Sequence, residues 1–245
     1  MTELEQKTQE QQEIIVPGLA KLLADDWQQE LESRHGELVA LLATLTASLL
    51  PQGWRKASPA QRAAFLDEHR AGVKRILAPM FEGIVPAAEK AVEQLHGFMG
   101  NHYGITPPAP FSGSTWAKST LIAEHSPQEW AAKQADTVSE RIVRASRSRL
   151  DEDTLPRNSK LVKDAIAASE EGINLMAQAF IVSGVDAARQ SLFPGFAWKY
   201  RAKMDGYTCG TCEATHGQIF QDNQPRPSLP RHPRCRCAYV PVPVV

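Results

Sequence analysis

The chain has 245 residues, 42% hydrophobic and 22% charged, with a formal net charge of −1. That length allows one large domain or two ordinary ones, the near-neutral charge argues against a generic nucleic-acid binder, and frequent alanine and leucine with few aromatics lean toward helix. No basic-then-apolar leader opens it and no run of about eighteen apolar residues follows, so neither a secretory signal nor a spanning helix is expected.

Residues 1–13 are polar and rich in Gln and Glu, and read as a frayed end or a helix that needs a partner. From Pro17 the residues Leu19, Leu22, Leu23, Trp27 and Leu31 fall on one helical face. A second stripe after Gly36 runs through Leu38, Leu41, Leu42, Leu45 and Leu49 and stops at Pro51-Gln-Gly53. Ser58-Pro-Ala-Gln61 is a capped helix start, and the helix it opens carries Phe65, Val73, Ile76 and Leu77. Pro79 is expected to end or kink it, with a further helix from Pro86 to about Gly97–Gly100. Residues 101–116, rich in Pro, Gly and Ser, read as a linker or long loop between two helical parts.

Ser126-Pro-Gln-Glu129 repeats the cap and opens a helix with Trp130, Val138, Ile142 and Val143 on its apolar side. Arg141, Arg144, Arg147 and Arg149 lie on and around its other side, where they either meet solvent or touch phosphate as weak nucleic-acid contacts. Pro156 interrupts. A long helix is then expected from about Lys160 to Ser191, with Leu161, Ile166, Ile173, Met176, Phe180 and Ile181 inward and Gly172 and Gly184 as weak points. From Phe196 the apolar period drops from 3.6 to two, predicting strands near 196–201, 218–220 and 238–242. The expected organisation is mainly α: an N-terminal helical region (1–100), a linker (101–116), a helical segment (117–195) and a small β-containing, metal-knotted C-terminal domain (196–245).

All four cysteines lie in that last part, at 209, 212, 235 and 237, with His216 and His232 among them. In a reducing compartment such clustering points to metal before disulfide, and zinc suits sulfur and imidazole donors. Cys209-x-x-Cys212 can turn two thiolates toward one ion. Cys235-Arg-Cys237 puts two on the same side of an extended backbone. A structural zinc site therefore uses all four cysteines, or takes His232 with Cys235 and leaves Cys237 in the core. An open site with His216 or Glu213 as base is the catalytic alternative. The tail is also mildly basic, from Lys199 to Arg236.

Asp205-x-x-Thr-Cys-x-x-Cys212, then Gly217-x-Ile-Phe220, then Pro230-x-His-Pro-x-Cys-Arg-Cys237 and a short apolar strand resembles the C-terminal domain of phage minor head (head morphogenesis) proteins of the Mu-F-like group. The resemblance covers about residues 196–245. It implies a virion protein, not an enzyme: a minor capsid component present in multiple copies, associated with the portal protein and other capsid proteins during procapsid assembly in the host cytoplasm, with packaged DNA as a further contact and no membrane. Many members have histidine at the position of Cys212 and lack a Cys209, an interchange that suits a zinc ligand. Two other readings compete: a metal-dependent nuclease or hydrolase using the zinc-site histidines, and a zinc-ribbon DNA-binding protein.

Overall fold

Two capping boxes start helices where the spacing places them. The computed structural model describes residues 2–147, 150, 155–232 and 234–244, and for 147 and 155–158 the backbone only. Ser58 Oγ accepts from the Gln61 amide at 3.2 Å while the Gln61 side chain accepts from the Ser58 amide at 2.9 Å. Ser126 and Glu129 make the same exchange at 3.3 and 2.9 Å. Each box satisfies donors that a helix end otherwise leaves orphaned. The polar N-terminus is capped likewise, by Thr2 and Glu5, and forms helix α1 (Glu3–Glu10).

A π-helical turn (Gln11–Ile15) leads from α1 into α2 (Val16–Ser33) and α3 (His35–Leu49). Leu23, Trp27 and Leu31 are buried as the period predicts, but Leu22 faces outward. The helix opened by Ser58 is α4, Pro59–Tyr103. The expected end at Pro79 and fresh start near Pro86 give way to one 45-residue element. A proline inside an isolated helix costs about 3 kcal/mol because it withholds an amide and crowds the preceding turn. Met80, Ile84, Val85 and Ala88 are buried beside the two prolines, and their packing offsets that cost. Residues 104–112 form a loop between α4 and α5 (Gly113–Ser119), and the stretch 101–116 contributes buried Tyr103 and Trp116.

Helix α6 spans Pro127–Arg147. The long helix expected next is two, α7 (Leu155–Ala167) and α8 (Glu170–Leu192). Neither glycine makes the break. Ser169 does: its hydroxyl bonds back to the Ala165 carbonyl at 3.0 Å, and Glu170 and Glu171 open the next helix where the dipole favours carboxylates. Gly184 is a contact point, since a Cβ there would lie 2.3 Å from Val92 Cγ2 of α4.

Three short strands close the chain: β1 (Ala197–Arg201), β2 (Ile219–Phe220) and β3 (Ala238–Val242), with the short helix α9 (Gly210–Thr215) between the first two. They form an antiparallel sheet in the order β2-β1-β3, with Tyr200 opposite Tyr239 and Trp198 opposite Pro241. Proline is tolerated in β3 because that strand is an edge. Among the described residues the fold is mainly α with this one small sheet. No described helix is long and apolar enough to cross a membrane.

The contacts divide the chain into two units, and the divisions fall inside α2, α4, α6 and α8. Unit 1 comprises residues 1–23, 85–130 and 175–245; unit 2 comprises 24–84 and 131–174. Unit 2 holds α3 against α7, with the His35 ring bonded to the Ser159 carbonyl at 3.0 Å. Unit 1 is organised around Arg189 of α8, which is fully buried. Its Nε donates to the Tyr103 hydroxyl at 3.1 Å, Nη1 to the Tyr239 carbonyl at 2.9 Å and Nη2 to Gln11 Oε1 at 2.7 Å. One guanidinium thus ties α4, β3 and the π-helical turn to α8.

Candidate metal centre

The Cys-x-x-Cys segment forms the first turn of α9. Cys209 is its N-cap, and its sulfur accepts from the Cys212 amide at 3.4 Å. The helix end thereby holds Cys209 below the ordinary thiol range, the Cys212 amide being the main cause. Cys212 is buried and receives the Tyr200 hydroxyl at 3.3 Å. Burial pushes the Cys212 thiol up and raises Tyr200 as well.

The second half arrives with the chain between His232 and β3. Arg234 adopts a left-handed backbone (φ 63°) just ahead of Cys235, and Cys235 and Cys237 are both buried. The interaction with Cys237 pushes Cys235 down to about 5, while the interaction with Cys235 pushes Cys237 up.

The donors fall into two overlapping trios. Cys209, Cys212 and His232 have ligand atoms within 4.8 Å of one another, and so do Cys212, Cys235 and Cys237. The His232 Nε2 lies 3.2 Å from Cys209 Sγ and 3.4 Å from Cys212 Sγ. A tetrahedral zinc with nitrogen at about 2.1 Å and sulfur at about 2.3 Å sets those two donors roughly 3.6 Å apart, so these spacings are near what one ion beside Cys212 needs. No disulfide joins the four cysteines. All five donors singled out by spacing, His232 included, are in the cluster, one more than a tetrahedral ion takes. The cluster can hold a metal ion.

Two ties brace the cluster without using a ligand atom. Arg236, between the second cysteine pair, reaches back to both Asp205 oxygens at 2.6 Å each. That pair holds the Asp205 carboxyl down to about 2. Arg231 donates to Thr215 Oγ1 at 2.7 Å and to the Thr211 carbonyl at 3.3 Å, pinning α9. Sequence reading missed both arginines and Tyr200. Asp205 heads the tail segment Asp205-x-x-Thr-Cys-x-x-Cys212, and that was the one available signal for its partner.

His216 belongs to neither trio. Its Nδ1 accepts from the Ala202 amide at 3.2 Å, and the chain then reverses at Gly217 (φ 83°) into β2. Glu213 is exposed and outside both trios as well. Of the arginines proposed for nucleic acid, Arg144 is exposed. Arg141 is half-buried, with its guanidinium 2.9 Å from where a Cβ on Gly172 would sit. The side chain of Arg147 and all of residue 149 lie outside the described residues. Arg141 and Arg144 belong to unit 2 and the metal cluster to unit 1, so these arginines do not converge on the cysteines within either unit. Comparison with protein-family models, curated proteins and solved structures gave no match.

Proposed function

We propose that the protein is a structural, portal-associated minor head component of a phage, and that its cysteine cluster holds a zinc ion that stiffens the tail for assembly. The observation that carries the reading is the cluster itself. The tail motif's cysteines lie together with three of the four sulfurs buried, an arrangement suited to a closed structural site rather than to an open one that activates water. Tyr207 and Met204, 89% and 53% exposed, stand on the loop leading into α9, and both residue types are enriched where proteins dock.

The test is composition of particles. Mass spectrometry of purified procapsids and virions from the source phage should find the chain in several copies, lost from particles assembled without portal. Its absence from both particle types overturns the assignment. Metal content tests the second half: the purified chain carries one zinc, and Cys235→Ser carries none.

One observation favours a second reading. A cleft of about 570 Å³ in unit 1 is lined by both Cys235 and His216, with Arg201 and Lys203 beside them. A zinc hydrolase acting on phosphodiesters would use such a cleft. Plasmid nicking that requires zinc and is lost in His216→Ala would establish it in place of the assembly role.

A further inference from the structure

The cysteines of the cluster differ sharply in access. Cys212, Cys235 and Cys237 are 2%, 2% and 4% exposed, whereas Cys209 is partly exposed. Cys235 borders the cleft of about 570 Å³ but presents almost no surface to it. Oxidation of a thiolate follows its exposure, so a small oxidant in solvent meets Cys209 first.

Cys209 has one sulfur partner within reach. The Cys212 and Cys209 sulfurs lie no more than 4.8 Å apart, while neither Cys235 nor Cys237 shares a trio with Cys209. The Cys212 amide, bonded to Cys209 Sγ at 3.4 Å, keeps the two residues in one turn. Two cysteines at this spacing pass readily between dithiol and disulfide. Cys212 is also the donor common to both trios. Without Cys209 and Cys212 the cluster retains His232, Cys235 and Cys237, one donor short of a closed tetrahedral site. Loss of the pair therefore opens the site whichever four donors hold the ion.

We propose that Cys209 is a site of oxidation by hydroperoxides, and that its disulfide with Cys212 releases the ion; the release rests on the zinc site proposed for this cluster. The Cys209 thiolate attacks a peroxide oxygen, the O–O bond breaks, and a sulfenic acid and hydroxide result. The Cys212 thiolate then attacks the sulfenic sulfur, forming the S–S bond and expelling the second hydroxide. Two electrons pass from the sulfurs to the peroxide: two thiolates and one hydrogen peroxide become one disulfide and two hydroxide ions.

The test adds hydrogen peroxide to the full chain purified under nitrogen, following zinc release with a chelating dye and the sulfurs by tryptic mass mapping after alkylation. Residues 204–231 form one peptide, because proline follows Arg226, and it holds Cys209 and Cys212 but neither of the other cysteines. That peptide should become lighter by two hydrogens in step with zinc release, and a phosphine reductant with added zinc should reverse both changes. Cys209→Ser should slow oxidation of Cys212 by at least about tenfold, because the remaining sulfurs are buried. No oxidation of the pair, a disulfide from Cys209 to Cys235 or Cys237, or Cys212 oxidised as fast in Cys209→Ser overturns the oxidation site. A zinc-loaded chain that forms the disulfide and keeps its zinc overturns the release. A chain free of zinc before treatment overturns the zinc site, and the peptide map still decides the Cys209–Cys212 bond.

Discussion

Asp205 and Arg236 hold the two halves of the cysteine cluster across 31 positions. Because the folded carboxyl is held down to about 2 against an ordinary value near 3.8, its contribution is complete above about pH 4 and is lost as pH falls from there to 2. Carboxyl-carbon NMR should show Asp205 still ionised at pH 3, and Arg236→Ala should return it to the ordinary range. His69 works in the opposite sense to a paired histidine. It is 2% exposed and tilted against Phe65, and burial lowers it from 6.5 to about 4. The unfolded chain therefore binds the proton first as pH falls from 6.5 toward 4, and stability drops over that window by up to about 3 kcal/mol. His69→Phe should flatten that part of the stability–pH curve in urea denaturation. Among the metal donors, His232→Ala and Cys237→Ser divide the two ligand sets. If four cysteines hold the ion, His232→Ala keeps one zinc per chain and Cys237→Ser loses it; the mixed set reverses the pair.

At the scale of elements, helix contacts are set by the few positions where backbones come close. Gly184 of α8 faces Val92 of α4 with no room for a methyl group. Gly184→Ala should cost about 1–3 kcal/mol, the range for overpacking a filled site. Gly83 lies on the exposed side of α4, and a Cβ there meets nothing within 4 Å. Gly83→Ala should stabilise by about 0.5–1 kcal/mol through helix propensity alone. Opposite shifts in Tm from the same chemical change separate packing from propensity. Equal shifts would mean that α4 and α8 are not in the contact described. The π-helical turn has a comparable local role: it sets Gln11, 1% exposed, where Oε1 takes hydrogen bonds from Tyr103 at 2.9 Å and from Arg189 at 2.7 Å.

At the scale of the molecule, the tail is not a free-standing piece. Glu5 of α1 pairs with Lys199 at 3.0 Å and Arg201 at 3.5 Å of β1, and α1 packs on β3. Arg189 bonds the β3 backbone from α8. Arg189→Met should therefore destabilise unit 1 by about 3–5 kcal/mol, because it unpairs the buried Tyr239 carbonyl, takes one of two donors from Gln11 Oε1 and removes one of the two positive charges that offset Asp186. Guanidinium denaturation measures it. A loss below about 1 kcal/mol would show the network to be incidental. Deleting residues 1–15 should likewise expose 196–245 to protease, although the deletion lies far from it in sequence.

Features decided within a few residues were legible in the chain. Ser58 with Gln61, Ser126 with Glu129, the alternation from Phe196 and the grouping of four cysteines with His232 all depend on spacing, and local geometry carries spacing directly into structure. What spans distance was not. Whether Pro79 and Pro86 break a helix depended on the packing around Met80 and Ile84. Whether Gly184 was a weakness or a contact depended on Val92. The roles of Gln11, Asp186, Arg189 and the Asp205–Arg236 pair existed only once separate segments met. A buried charge or a close backbone approach takes its energy from neighbours that one-dimensional spacing does not name, so the tertiary structure alone decided them.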